Sequence, residues 1–131
     1  MIEAIILYAV LKDNPEIIES RERERVIVRA TRTGDFRAFA RAHYNKKQWK
    51  CLDELWQRES SWGTIKNPHL AKNPKSSAYG IPQATKGKMA QQGSDWKTNP
   101  ITQIKWGMNY IKERYETPCN ALRFHDNKNW Y

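Results

Sequence analysis

Two cysteines, six glycines and six prolines are few for a chain of 131 residues. Their scarcity excludes a disulfide-dense scaffold, a collagen-like repeat and a Gly/Pro low-complexity segment. No window approaches the run of about 20 apolar residues that a membrane-spanning helix requires. No histidine sits near either cysteine, so no zinc site is expected, and nothing in the sequence asks for another metal or cofactor. There is no internal repeat. The N-terminus also lacks the basic residues and small-residue cleavage site of an export signal. Glu3 precedes the apolar run Ala4 to Leu11, and Asn14-Pro15 follows it. That run reads as a first short helix, without a signal peptide, in a protein made in the cytoplasm.

Aromatic residues, by contrast, are abundant. Six Trp and six Tyr argue against disorder, which is poor in such side chains. The mass of 15.5 kDa is one domain's worth. The formal net charge is +9, and its placement is uneven. Within residues 1–33 six acidic and six basic side chains cancel, whereas 34–131 carries seventeen basic against eight acidic. The sequence therefore divides into a charged helical extension, 1–33, and a basic domain, 34–131. The basic domain should be drawn to a polyanion: nucleic acid, anionic lipid or an acidic cell-wall polymer. Against nucleic acid, no helical face is densely basic; the Lys and Arg residues are scattered singly.

Local patterns predict a mainly helical fold with minimal β structure. Asn14-Pro15-Glu16 suits a helix start, and the mixed-charge run Glu19 to Arg32 ends at Thr33-Gly34, a helix stop. Phe36, Phe39, Ala40 and His43 mark a short amphipathic helix. Trp49, Leu52, Leu55 and Trp56 form one face of the next. Residues 60–100 lose the periodicity to Asn-Pro, Ser-Ser and Gly signals, with at most a short helix around Thr85 to Gln92. Because this stretch holds Trp62, Tyr79 and Trp96, it reads as ordered and functional. Ile101, Ile104, Met108, Ile111 and Tyr115 define a strong helix, with Trp106 and Tyr110 on an adjacent face. After Pro118 one short helical turn and an aromatic end, Trp130-Tyr131, are expected. Cys51 and Cys119 read equally as two buried thiols or as a disulfide closing a long loop.

The stripe ending at Trp56 continues to Glu59, an acid where an apolar residue belongs. Such conflicts between pattern and residue are expected at functional sites. Burial against Trp56 and Trp62 would penalise the ionised carboxylate and raise its pKa. A carboxylic acid still protonated near neutral pH can donate to a leaving oxygen.

Three segments carry a resemblance. Glu59-Ser60-Ser61-Trp62, then Asn73-Pro74-Lys75-Ser76-Ser77-Ala78-Tyr79-Gly80-Ile81-Pro82-Gln83, then Asn109-Tyr110-Ile111 resemble, in order and approximate spacing, the motifs of lytic transglycosylases. The likeness is closest to lysozyme-like domains of phage proteins and actinobacterial wall enzymes, and covers roughly residues 40–131. It implies a lysozyme-like domain with a substrate cleft that cuts the β-1,4 bond between N-acetylmuramic acid and N-acetylglucosamine, leaving 1,6-anhydro ends. Glu59 would be the general acid and base. Ser60, Gly80 and Gln83 would contact the glycan, and the Tyr110 hydroxyl would hold the catalytic carboxyl. Trp62, Tyr79 and Trp96 are candidates for stacking on sugar rings. The partner would be peptidoglycan strands, met by a monomer at the cell wall as a phage lysis or virion-borne protein.

Two positions depart from the motifs: Ile81-Pro82 replaces Leu-Met, and Asn109 replaces Ala. A second carboxylate would favour hydrolysis, as in a muramidase, and Asp53, Glu54, Asp95 and Asp126 are the candidates. Asp95 is the one best placed by sequence to face a cleft. A non-catalytic basic module that binds nucleic acid or the wall is the remaining alternative.

Overall fold

A computed structural model describes residues 14–63 and 76–131; the expected first helix, Ala4 to Leu11, and the loop signals Asn67-Pro68 and Asn73-Pro74-Lys75 lie outside them. The described residues are mainly helical, and a single antiparallel bridge, Tyr79 to Ala84, is their β structure. None of their helices is long and apolar enough to cross a membrane. They divide into two compact units, 14–43 and 44–131, so the short helix after Gly34 groups with the charged helix before it.

In the first unit, helix α1 spans Pro15–Thr33. Asn14 caps it by accepting from the Glu16 and Ile17 amides, and Gly34 ends it in a left-handed conformation. Ion pairs Glu19–Arg23 and Glu22–Arg25 lie along its exposed surface, as the mixed-charge run predicts. Helix α2, Phe36–Arg41, starts at Asp35, whose carboxylate accepts from the Ala38 amide.

The second unit is built on three helices. Helix α3 spans Lys46–Ser60 from an Asn45 cap, α4 spans Pro100–Tyr115 from an Asn99 cap, and α5 spans Pro118–Lys128 from a Thr117 cap. A 3-10 turn, Lys88–Gln91, lies where a short helix is predicted. Leu52, Leu55 and Trp56 of α3 form the core with Ile104 and Ile111 of α4, Ala121 of α5, and Ile81 and Met89 of the connecting loop. Helix α5 corrects the expectation of one short turn. Its inward positions are Pro118 and Ala121, too small and too few to write an apolar stripe, yet it packs along α3 more extensively than any other helix pair in this unit.

A disulfide joins Cys51 to Cys119 and so ties α3 to α5. The Gln48 side chain reinforces the tie by accepting from the Cys119 amide at 2.9 Å. With its ends 68 positions apart in the sequence, the bridge should contribute about 4 kcal/mol through the loop entropy it removes from the unfolded chain. Urea denaturation of Cys51→Ser/Cys119→Ser against the oxidised protein is expected to show a loss of that order.

Candidate functional site

Trp56 sets the geometry of the site. Its ring is fully buried beneath Gly107 of α4, where a Cβ would stand 2.6 Å from the indole and 3.1 Å from Pro82. Only glycine lets α4 approach that closely. The indole N–H donates to the Tyr131 hydroxyl at 2.9 Å, and that hydroxyl donates onward to the Pro82 carbonyl at 2.9 Å. One relay thus connects α3, the chain end and the loop. It holds Tyr131 beside Glu59, one turn beyond Trp56, and burial together with the Glu59 charge pushes the Tyr131 phenol well above its ordinary pKa.

Glu59 lies in the wall of a hollow of about 420 Å³. Pro82, Gln83 and Lys88 form one side, and Trp106, Tyr110, Arg114, Trp130 and Tyr131 form much of the rest. Trp106 and Tyr110 stack with centroids 5.0 Å apart, and Tyr131 meets Tyr110 edge-on at 5.6 Å. An adjoining hollow of about 410 Å³ shares Lys88, Trp106 and Tyr110 and continues past Gln91, Gln92, Asn109 and Glu113.

The Glu59 side chain is 17% exposed and sits 3.2 Å from Nε2 of His125, itself 13% exposed. Burial pushes the Glu59 carboxyl up to about 7. Burial also holds His125 below its ordinary value; the Arg58 charge adds to this and Asp126 opposes it. A carboxyl in this state is half-protonated near neutral pH and can give or take a proton.

The other predicted site residues divide into those on the hollow and those away from it. Gln83 and Tyr110 line it. Gln83 has a left-handed backbone, and its side chain donates to the Gly80 carbonyl at 2.8 Å. The Tyr110 hydroxyl accepts from Arg114 at 2.9 Å, while the contact on Glu59 expected of it is made by His125.

Ser60, Trp62, Tyr79 and Gly80 are not among the residues lining the hollow. The Ser60 hydroxyl is buried and donates to the Ile81 carbonyl at 2.7 Å, fastening the helix end to the loop. Ser61 and Trp62 are both left-handed and turn the chain back over α3. That turn buries Trp62 against Trp56 and Trp49, with its N–H on Asp53 at 2.8 Å, so it fills the core instead of meeting a sugar. Tyr79 packs edge-on against Trp96 and donates to the Lys97 carbonyl. Gly80 has φ 76°, and a Cβ there would lie 2.6 Å from Gln103 Oε1. The close approach it permits is to Gln103, which accepts from the Ile81 amide and donates to the Trp96 carbonyl.

None of the candidate second carboxylates lines the hollow either. Asp53 holds Trp62, and Glu54 and Asp126 both engage Arg58. Asp95 is exposed and accepts from Thr102 and Asn99 at 2.7 Å each, bonds that hold its carboxyl below the usual range. Among the described residues no cluster of three or more His, Cys, Asp or Glu is placed to hold a metal ion.

His125, Arg114, Trp106, Trp130 and Tyr131 are site residues that the sequence reading did not single out. A signal for His125 exists once the disulfide is known. Glu59 lies eight residues beyond Cys51 and His125 six beyond Cys119. Those are rises of about 12 and 9 Å along helices that run side by side in one direction. No protein-family model, curated protein or solved structure matches the chain.

The raised Glu59 pKa has a consequence for stability. The unfolded carboxyl releases its proton near its ordinary value of 4.5 and the folded one near 7, so stability falls as pH rises between the two and levels off above. The fall should be on the order of 3 kcal/mol. Urea denaturation of Glu59→Gln at pH 4.5 and pH 8 is expected to show that this decline is largely abolished.

Proposed function

We propose that this protein is a peptidoglycan-cleaving enzyme of the lytic transglycosylase kind, with Glu59 as its general acid and base. The observation that carries the reading is a single carboxyl, pushed by burial to about 7, in the wall of an aromatic-lined hollow. Stacked Trp106 and Tyr110 offer the apolar ring faces on which sugars lie, and the shared edge with the second hollow suits a substrate longer than one residue. The order of the Glu59-Ser60, Gly80 to Gln83 and Asn109-Tyr110-Ile111 motifs supports the same reading, as does a net charge of +9 for approach to an anionic wall.

Protonated Glu59 would donate to the glycosidic oxygen as the bond from that oxygen to the muramyl C1 breaks, the electron pair leaving with the oxygen. The carboxylate so formed would then take the proton of the muramyl 6-hydroxyl while that oxygen bonds to C1. Glu59 ends protonated again, and no water is consumed. Hydrolysis by paired carboxylates would call for a second acid across the bond. Among the described residues lining the first hollow, Glu59 is the only carboxylate, which favours the internal 6-hydroxyl as nucleophile.

Purified peptidoglycan incubated with the protein should release muropeptides one water lighter than their reducing-end counterparts by mass spectrometry. Glu59→Gln should lower that release by at least about a hundredfold, the scale of general acid catalysis, with folding kept. Reducing ends would reassign the reaction as hydrolysis. No release by the wild-type protein would refute the reading.

A further inference from the structure

Arg23, Arg25 and Arg58 each find a carboxylate three or four residues back along their own helix. Arg114 does not. The residue four before it is Tyr110, and Glu113, its neighbour in sequence, faces the second hollow. Among the described residues no carboxylate forms an ion pair with Arg114. Its Nη1 donates instead to the Tyr110 hydroxyl at 2.9 Å. The guanidinium carbon lies 5.7 Å from the Tyr110 ring, 5.8 Å from Tyr115 and 5.5 Å from Trp130. Aromatic rings attract a cation without cancelling its charge. A positive last turn also suits the dipole of α4, but Lys112 supplies that charge as well.

This guanidinium lines the same hollow as Glu59, and Lys88 lines it too. Neither cation is within ion-pair distance of Glu59, and Lys88 pairs with no carboxylate among the described residues. The hollow therefore holds two cations that the protein itself leaves without an anion. Three rings and one hydroxyl restrain the guanidinium, so a ligand that meets it freezes out less side-chain motion. Its planar fork keeps N–H donors beyond the one given to Tyr110, and that fork matches a carboxylate with paired hydrogen bonds.

We propose that Arg114, assisted by Lys88, binds a carboxylate of the substrate and makes the enzyme select acidic glycans over neutral ones. The inference rests on the hollow being the glycan site of the proposed reaction. On such a strand N-acetylmuramic acid carries a lactyl ether whose carboxyl is either free or amide-linked to a peptide with carboxyls of its own. Both sources present the same group to the guanidinium. A neutral polymer of N-acetylglucosamine presents none, and gains nothing from either cation.

The test is binding of small glycans that hold no glycosidic bond to cut. It is read on the intact wild-type protein from the side-chain 15N–1H shifts of Arg114 and of the Trp106 and Trp130 indoles. N-acetylmuramic acid carries its carboxylate on the lactyl group, and N-acetylmuramyl-L-alanine carries it on the peptide. N-acetylmuramyl-L-alaninamide and N-acetylglucosamine are neutral. At least one acid is expected to bind about tenfold more tightly than both neutral ligands, and the acid that does so identifies the source of the carboxylate. Added salt should narrow the gap. Arg114→Gln should abolish the preference, and Arg114→Lys, which keeps the charge and loses the fork, should restore only part of it. Equal binding of acids and neutral ligands, no saturable binding of either acid, or a preference that survives in folded Arg114→Gln overturns the proposal. Because nothing is cleaved, the result is decided apart from muropeptide release. Acid-selective binding by a protein that leaves peptidoglycan intact keeps this site and removes the reaction; cleavage without acid selectivity does the reverse.

Discussion

The second unit is organised around one indole. Trp56 is buried on every side, pressed by the bare backbone of Gly107 and hydrogen-bonded to the hydroxyl of Tyr131. Because a buried N–H without an acceptor is costly, the ring dictates where the chain end must lie. Tyr131 in turn holds the Pro82 carbonyl, so the loop that follows the bridge at Tyr79 is fixed from the same point. Glu59, three residues after Trp56, takes its position from this arrangement. An acid there is shielded on one side by packed aromatic rings and open on the other to a hollow.

That placement sets this carboxyl apart from the other acids of the unit. Glu54, Asp126 and Asp95 each meet a guanidinium or a hydrogen-bond donor near solvent. Glu59 meets the His125 ring and a wall rich in aromatic side chains, and burial is what raises its carboxyl. The division of labour is physical: exposed acids fasten helices and turns, and the sheltered acid holds a proton.

Much of the helical framework was legible because its ends are written locally. Asn14-Pro15, Asp35, Asn45 and Asn99-Pro100 are polar caps followed by helix-compatible residues, and each opens a helix. The anomaly of Glu59 on an apolar stripe was equally readable, since it needs only the period of one helix. What failed to show was anything set by pairing between distant segments. Helix α5 has almost no stripe of its own and exists against α3 through a disulfide and small contacts. His125 is invisible until those two helices are aligned. Trp62 misled for a related reason: an aromatic in a loop looks like a sugar platform until two left-handed residues turn it into the core.

The bridge between Cys51 and Cys119 makes most of the second unit a covalent ring, with Glu59, the loop and all of α4 inside it. A single peptide-bond cut anywhere in that ring yields a nicked molecule, not two fragments. The pieces stay tethered beside each other at high local concentration. In surroundings rich in proteases, backbone scission would therefore have to occur twice before this unit could lose mass from its interior.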